Sequence, residues 1–78
     1  MTLRVADLFE VPGRGCVVIP SGVVGLTGRL TATVTGADGV VRTYAAQEGR
    51  IGKTESYLLD GARLDDLEPG AGIAFAAA

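Results

Sequence analysis

The sequence has no histidine and no tryptophan, and among its 78 residues there is one cysteine, Cys16. Without histidine there is no imidazole acid–base chemistry, and the Ser-His-Asp and Cys-His nucleophile arrangements are excluded with it. A lone cysteine closes no intrachain disulfide and cannot supply the several nitrogen and sulfur ligands of a zinc site. The chain is therefore read as non-enzymatic, with no catalytic, metal-binding or cofactor-binding residue assigned. Long apolar runs are also missing. The longest, Cys16 to Ile19 and Ile73 to Ala78, fall well short of the roughly 20 residues of a membrane-spanning helix. The opening Met-Thr-Leu-Arg-Val carries no apolar signal region, and a single cysteine fits a reducing compartment. A cytoplasmic protein with no membrane partner is the expectation.

Net charge is low, at −2, and unevenly placed. Residues 1–54 hold six basic groups against four acidic ones, and residues 55–78 hold Arg63 against five carboxylates. Nucleic-acid binders usually gather a basic excess on one face, because phosphate neutralisation dominates their affinity. This chain shows no such excess, so RNA binding has no support from charge.

What is abundant is glycine, with 12 residues, set between short β-branched runs. From Leu3 to Val11 the residues Leu3, Val5, Phe9 and Val11 share one parity, with Asp7 the single polar break, which is the period of a half-buried strand. Pro12-Gly13-Arg14-Gly15 ends it, and Cys16 to Ile19 reads as a second strand. Val23 to Leu26 is a short apolar run. From Leu30 the alternation is clean, with Leu30, Ala32 and Val34 on one side and Thr31, Thr33 and Thr35 on the other. Gly36-Ala37-Asp38-Gly39 is a hairpin signal leading into a strand over Val40 to Ala46, with Gln47 to Gly52 read as a loop. Lys53 to Leu59 is read as a strand, Asp60 as the cap of one helical turn carrying Leu64 and Leu67, and Ile73 onwards as the last strand. The tail Ile73 to Ala78 carries no charge, so it is either a buried strand or an apolar edge meeting another subunit. No segment has the pattern of a helix of ten residues or more. The expectation is one all-β domain over residues 1–78, a small closed or nearly closed antiparallel barrel of six to seven strands with at most one helical turn.

One stretch goes beyond propensity. Val5-Ala6-Asp7-Leu8-Phe9-Glu10-Val11-Pro12-Gly13-Arg14-Gly15-Cys16-Val17-Val18, followed by Gly22-Val23-Val24-Gly25-Leu26-Thr27-Gly28, resembles the opening of the second-domain β-barrel of translational GTPases, the elongation factor Tu domain 2 type. Leu58-Leu59-Asp60 and Gly70-Ala71-Gly72-Ile73-Ala74-Phe75 are similar to that family's closing stretch. The resemblance implies a barrel fold and contact with protein or RNA partners. The chain departs from the family where the acceptor end of tRNA is bound: Cys16 to Ser21 is about three residues short there, and Ser56 and Tyr57 stand where the family has an arginine. No Gly-x-x-x-x-Gly-Lys-Ser/Thr loop is present, so no nucleotide is expected.

Within this reading the candidate partner-binding loop is Gly13, Arg14 and Gly15, an arginine on a glycine turn able to meet a phosphate or carboxylate in bidentate fashion. Cys16 reads as a small core residue. Asp65, Asp66 and Glu68 read as a solvated turn, and the core is expected to claim at least three of Phe9, Tyr44, Tyr57 and Phe75. The function expected is that of a stand-alone module binding a protein partner or itself. An RNA-associated accessory factor and a small-ligand-binding barrel are the alternatives.

Overall fold

In a computed structural model, which describes residues 2–36 and 38–78, the chain forms a closed antiparallel barrel. Its strands are β1 (Leu3–Val11), β2 (Gly15–Pro20), β3 (Arg29–Thr35), β4 (Val41–Ile51), β5 (Thr54–Asp60) and β6 (Gly72–Ala77), with a single 3-10 turn at Leu64–Asp66. Around the wall they run β1-β2-β5-β4-β3-β6, and β6 returns to β1. Closure removes most unpaired edges, the main hazard for so small a sheet. Val5, Cys16, Val18, Leu30, Val34, Tyr57, Leu59 and Ile73 fill the interior, each at most 1% exposed.

The threonine strand follows its pattern, with Leu30, Ala32 and Val34 inside and Thr31, Thr33 and Thr35 outside. The uncharged tail resolves into β6, paired with both β1 and β3 and burying Ile73. Of the Gly36 to Gly39 hairpin signal, Ala37 lies outside the described residues. Around it the Gly39 N–H donates to the Gly36 carbonyl at 3.0 Å, and the Asp38 carboxylate accepts from the Val40 N–H at 3.0 Å.

Three expectations are corrected. In β1 the shared parity of Leu3, Val5, Phe9 and Val11 fails, because the β2 ladder steps from Val5↔Pro20 to Asp7↔Ile19. Two residues of β1 are spent against one of β2, so Ala6 is a bulge, and beyond it the inward and outward faces exchange. Leu8 turns towards the core and Phe9 lies outside, 39% exposed. Gln47 to Ile51 is strand rather than loop: β4 runs on beside β5 from Gln47↔Leu58 to Ile51↔Thr54. A two-residue turn, Gly52-Lys53 with Gly52 at φ +62°, closes that hairpin, which puts the glycine at the first central position where such turns need it. Asp60 caps nothing, being the last residue of β5. The residue before the 3-10 turn is Arg63, and it makes no side-chain cap.

Candidate functional site

Gly13 and Gly15 shape the candidate loop for different reasons. Pro12 and Gly13 are the central residues of a turn closed by the Arg14 N–H donating to the Val11 carbonyl at 3.0 Å, and Gly13 at φ +78° meets the type II requirement for glycine. Gly15, at φ +147°, is needed for space as well. A Cβ there would press on the Leu59 carbonyl and come within 2.9 Å of the Gly61 nitrogen. This close approach lets the Gly61 N–H donate to the Arg14 carbonyl at 2.9 Å and ties the turn to the end of β5. The Arg14 side chain is exposed at the rim of an open depression that Glu10, Gly61 and Arg63 also line. The ion pairs among the described residues are Arg42–Asp66, Arg50–Glu55 and Arg63–Asp65, so the Arg14 guanidinium is left without one.

Cys16 is a core residue. It is fully buried, and its thiol donates to the Ala62 carbonyl at 3.4 Å. Burial pushes the thiol pKa up, and the carboxylates of Glu10 and Asp66 add to the effect, so the nucleophilic thiolate is suppressed. In the acidic turn, Asp66 lies 3.7 Å from Arg42 and Asp65 4.0 Å from Arg63. Among the described residues no three metal-ligating side chains converge, and none of their helices is long and apolar enough to cross a membrane.

Of the aromatics, Tyr57 is fully buried, and its ring centroid stands 4.6 Å from that of Phe75. Phe75 and Tyr44 pack against the same core, which leaves Phe9 outside. Burial raises the pKa of both tyrosines, and nearby carboxylates reinforce it: Asp66 for Tyr44, and Glu55 with Glu48 for Tyr57. The Tyr57 hydroxyl donates to the Glu55 carboxylate at 3.4 Å, while the Tyr44 hydroxyl oxygen is buried without a hydrogen-bond partner.

The feature that sequence reading passed over lies on the outer wall beside this loop. Cross-strand register places Phe9 opposite Val17, Val17 opposite Leu58, and Leu58 opposite Gln47. With Val11 and Ile19 on the same outward parity, β1, β2 and β5 present an apolar wall edged by Asp7 and Asp60. A signal for it was available. Cys16-Val17-Val18-Ile19 and Tyr57-Leu58-Leu59 are continuous apolar runs, the pattern of strands covered on both faces rather than one.

In comparisons with known proteins the chain matches no family model, no curated protein and no solved structure. The resemblance to translation-factor domain 2 accordingly rests on the sequence motifs alone.

Proposed function

We propose that the protein is a non-enzymatic interaction module, a small barrel that binds a protein partner or itself. The observation that carries this reading is the outward row Phe9, Val17 and Leu58, held in direct cross-strand register next to the Gly13-Arg14-Gly15 turn. Contiguous exposed apolar patches mark interaction sites, and aromatic side chains, phenylalanine included, and arginine are enriched where proteins meet. The RNA reading draws less support, since Tyr44, Tyr57 and Phe75 are engaged in the core and Phe9 alone is free to stack on a base.

The test compares two baits from the native cell, the wild-type chain and a variant with Phe9→Ser, Val17→Ser and Leu58→Ser. The wild type should retain a specific protein, or a second copy of itself, that the variant loses. An identical retained set on both baits would refute the reading. Binding to tRNA that falls steeply with salt and disappears on Arg14→Ala would favour the RNA alternative instead.

A further inference from the structure

Among the described residues, β1 is bonded on both sides over its first half and paired on one side over its second. At the start, the Arg4 carbonyl accepts from the Ser21 N–H at 2.8 Å, while the Val5 N–H donates to Ala71 at 2.9 Å and the Val5 carbonyl accepts from Gly70 at 2.8 Å. The Arg4 guanidinium adds a bond to the Gly70 carbonyl at 2.9 Å. The β6 ladder covers Leu3 and Arg4, whereas β1 continues beside β2 as far as Val11. From Leu8 to Val11 no described strand pairs with its other edge.

Which groups face that edge follows from alternation. The Val11 carbonyl is turned towards β2, where it accepts from Arg14, so Phe9 also faces β2 and Leu8 and Glu10 face the open side. The Leu8 N–H agrees: it finds no strand and is taken instead by the Asp7 carboxylate at 2.9 Å.

We propose that this edge pairs with the same edge of a second copy of the chain, antiparallel and about a two-fold axis at Phe9. The inference rests on the interaction reading above and names its partner. In this register Leu8 of each copy opposes Glu10 of the other, and the two residues exchange both N–H···O bonds once the Leu8 N–H is released from the Asp7 carboxylate, which turns instead to Arg14 of the other copy. Phe9 meets Phe9 at the closer, non-hydrogen-bonded position. A shift of the axis to Glu10 would set two carboxylates directly opposite, which is unfavourable, and a shift to Leu8 would run Glu10 onto the Ala6 bulge. Charge complementarity supports the Phe9 axis. Asp7 and Arg14 stand at opposite ends of the open segment, so the two-fold brings each towards its opposite charge on the other copy, roughly 10 Å apart at Cα and within reach of an extended arginine. Neither group has an ion pair among the described residues. The Phe9, Val17 and Leu58 rows of the two copies then join into one continuous apolar face. Because the contact is isologous, it closes at two chains and does not propagate.

The test is sedimentation equilibrium on the intact chain and on variants, with circular dichroism to check the barrel. The wild type should run at twice its 7.9 kDa chain mass. Glu10→Pro removes one N–H from the open edge, where proline is tolerated, and should give a folded monomer. Phe9→Glu should do the same by opposing two carboxylates at the axis. Asp7→Arg and Arg14→Asp should each raise the dissociation constant about tenfold or more, and the double swap should restore it. A wild type that stays monomeric at sub-millimolar concentration overturns the pairing, as does a dimer that survives Glu10→Pro. The interaction reading fails by a different result, identical retention by the two baits above. A monomer that still holds a specific protein leaves that reading standing and refutes only the strand pairing.

Discussion

The wall made by β1, β2 and β5 and the wall made by β6, β3 and β4 share one barrel and one core but differ on the outside. The second turns Thr31, Thr33, Thr35 and Thr43 outwards, with Ala74 and Ala76 beside them and Val41, 58% exposed, opposite Thr35 at the end of the row. The first turns out Phe9, Val11, Val17, Ile19 and Leu58. Threonine is β-branched and suits a strand about as well as valine, while leaving a hydroxyl for water. Strand formation therefore does not require the aliphatic choice on β1, β2 and β5. Apart from Val41 at its end, the threonine wall shows what this chain uses on an outer face that meets solvent, and the contiguous aliphatic row of the other wall departs from that use.

The largest effect expected separates one glycine on each wall. Gly15→Ala on β2 forces a Cβ against the Leu59 carbonyl in a backbone region closed to L-residues, at a cost of more than about 3 kcal/mol. That is a large part of the roughly 5–15 kcal/mol available to a domain. Gly72→Ala on β6 meets the Thr2 methyl at 3.5 Å, an ordinary contact, and should move stability by only about 0.5 kcal/mol. Urea denaturation of both variants checks the pair, and equal losses would refute the packing argument.

Next in size is the contrast between neighbours on β5. Leu59 is fully buried, and Leu59→Ala should cost about 2–5 kcal/mol. Leu58 faces outwards, and in the monomer Leu58→Ser should cost no more than about 1 kcal/mol. If thermal melts give comparable losses, the aliphatic wall is already covered by the chain's own structure.

These contrasts also mark how much the sequence discloses. β3 was legible in full, because its pairs of inward aliphatics and outward threonines follow one period without interruption. In β1 the same period misassigned Phe9, since nothing local in Val5-Ala6-Asp7 announces a bulge; it arises from the ladder with β2, a non-local contact. Gln47 to Ile51 looked like a loop for a related reason. Its polar residues and Gly49 have weak strand propensity, and the eleven-residue β4 is held by pairing with β5. The Gly13-Arg14-Gly15 turn was legible because backbone geometry selects glycine there. The apolar wall was legible only in part: continuous runs such as Cys16 to Ile19 imply apolar residues on both faces, but that Phe9, Val17 and Leu58 line up in one row is set by the non-local pairing of β1, β2 and β5.

A smaller effect concerns the interior that both walls enclose. Cys16, Tyr44 and Tyr57 hold their protons more tightly folded than unfolded, chiefly because burial disfavours the charged forms. Above their ordinary pKa values, 9.0 for the thiol and 10.0 for the phenols, the unfolded chain has released protons that the native chain still holds. Unfolding stability then falls as pH rises. The melting temperature should decline from about pH 9 upwards, with the loss reduced in Cys16→Ala in proportion to the thiol's share. A flat alkaline profile would contradict the burial assigned to these groups.

The smallest effect expected on stability is the most direct comparison of the walls. Val17→Thr and Thr33→Val exchange near-isosteric β-branched side chains at outward positions, one on each side of the barrel. Each should leave stability within about 0.5 kcal/mol, since strand preference is nearly conserved and neither site belongs to the core. Association is where they should part. Val17→Thr interrupts the row between Phe9 and Leu58 and should weaken self-association in light scattering, while Thr33→Val places one apolar group among threonines and should leave it unchanged. If both variants shift association alike, overall hydrophobicity governs it rather than position, and the distinction between the two walls loses its functional meaning.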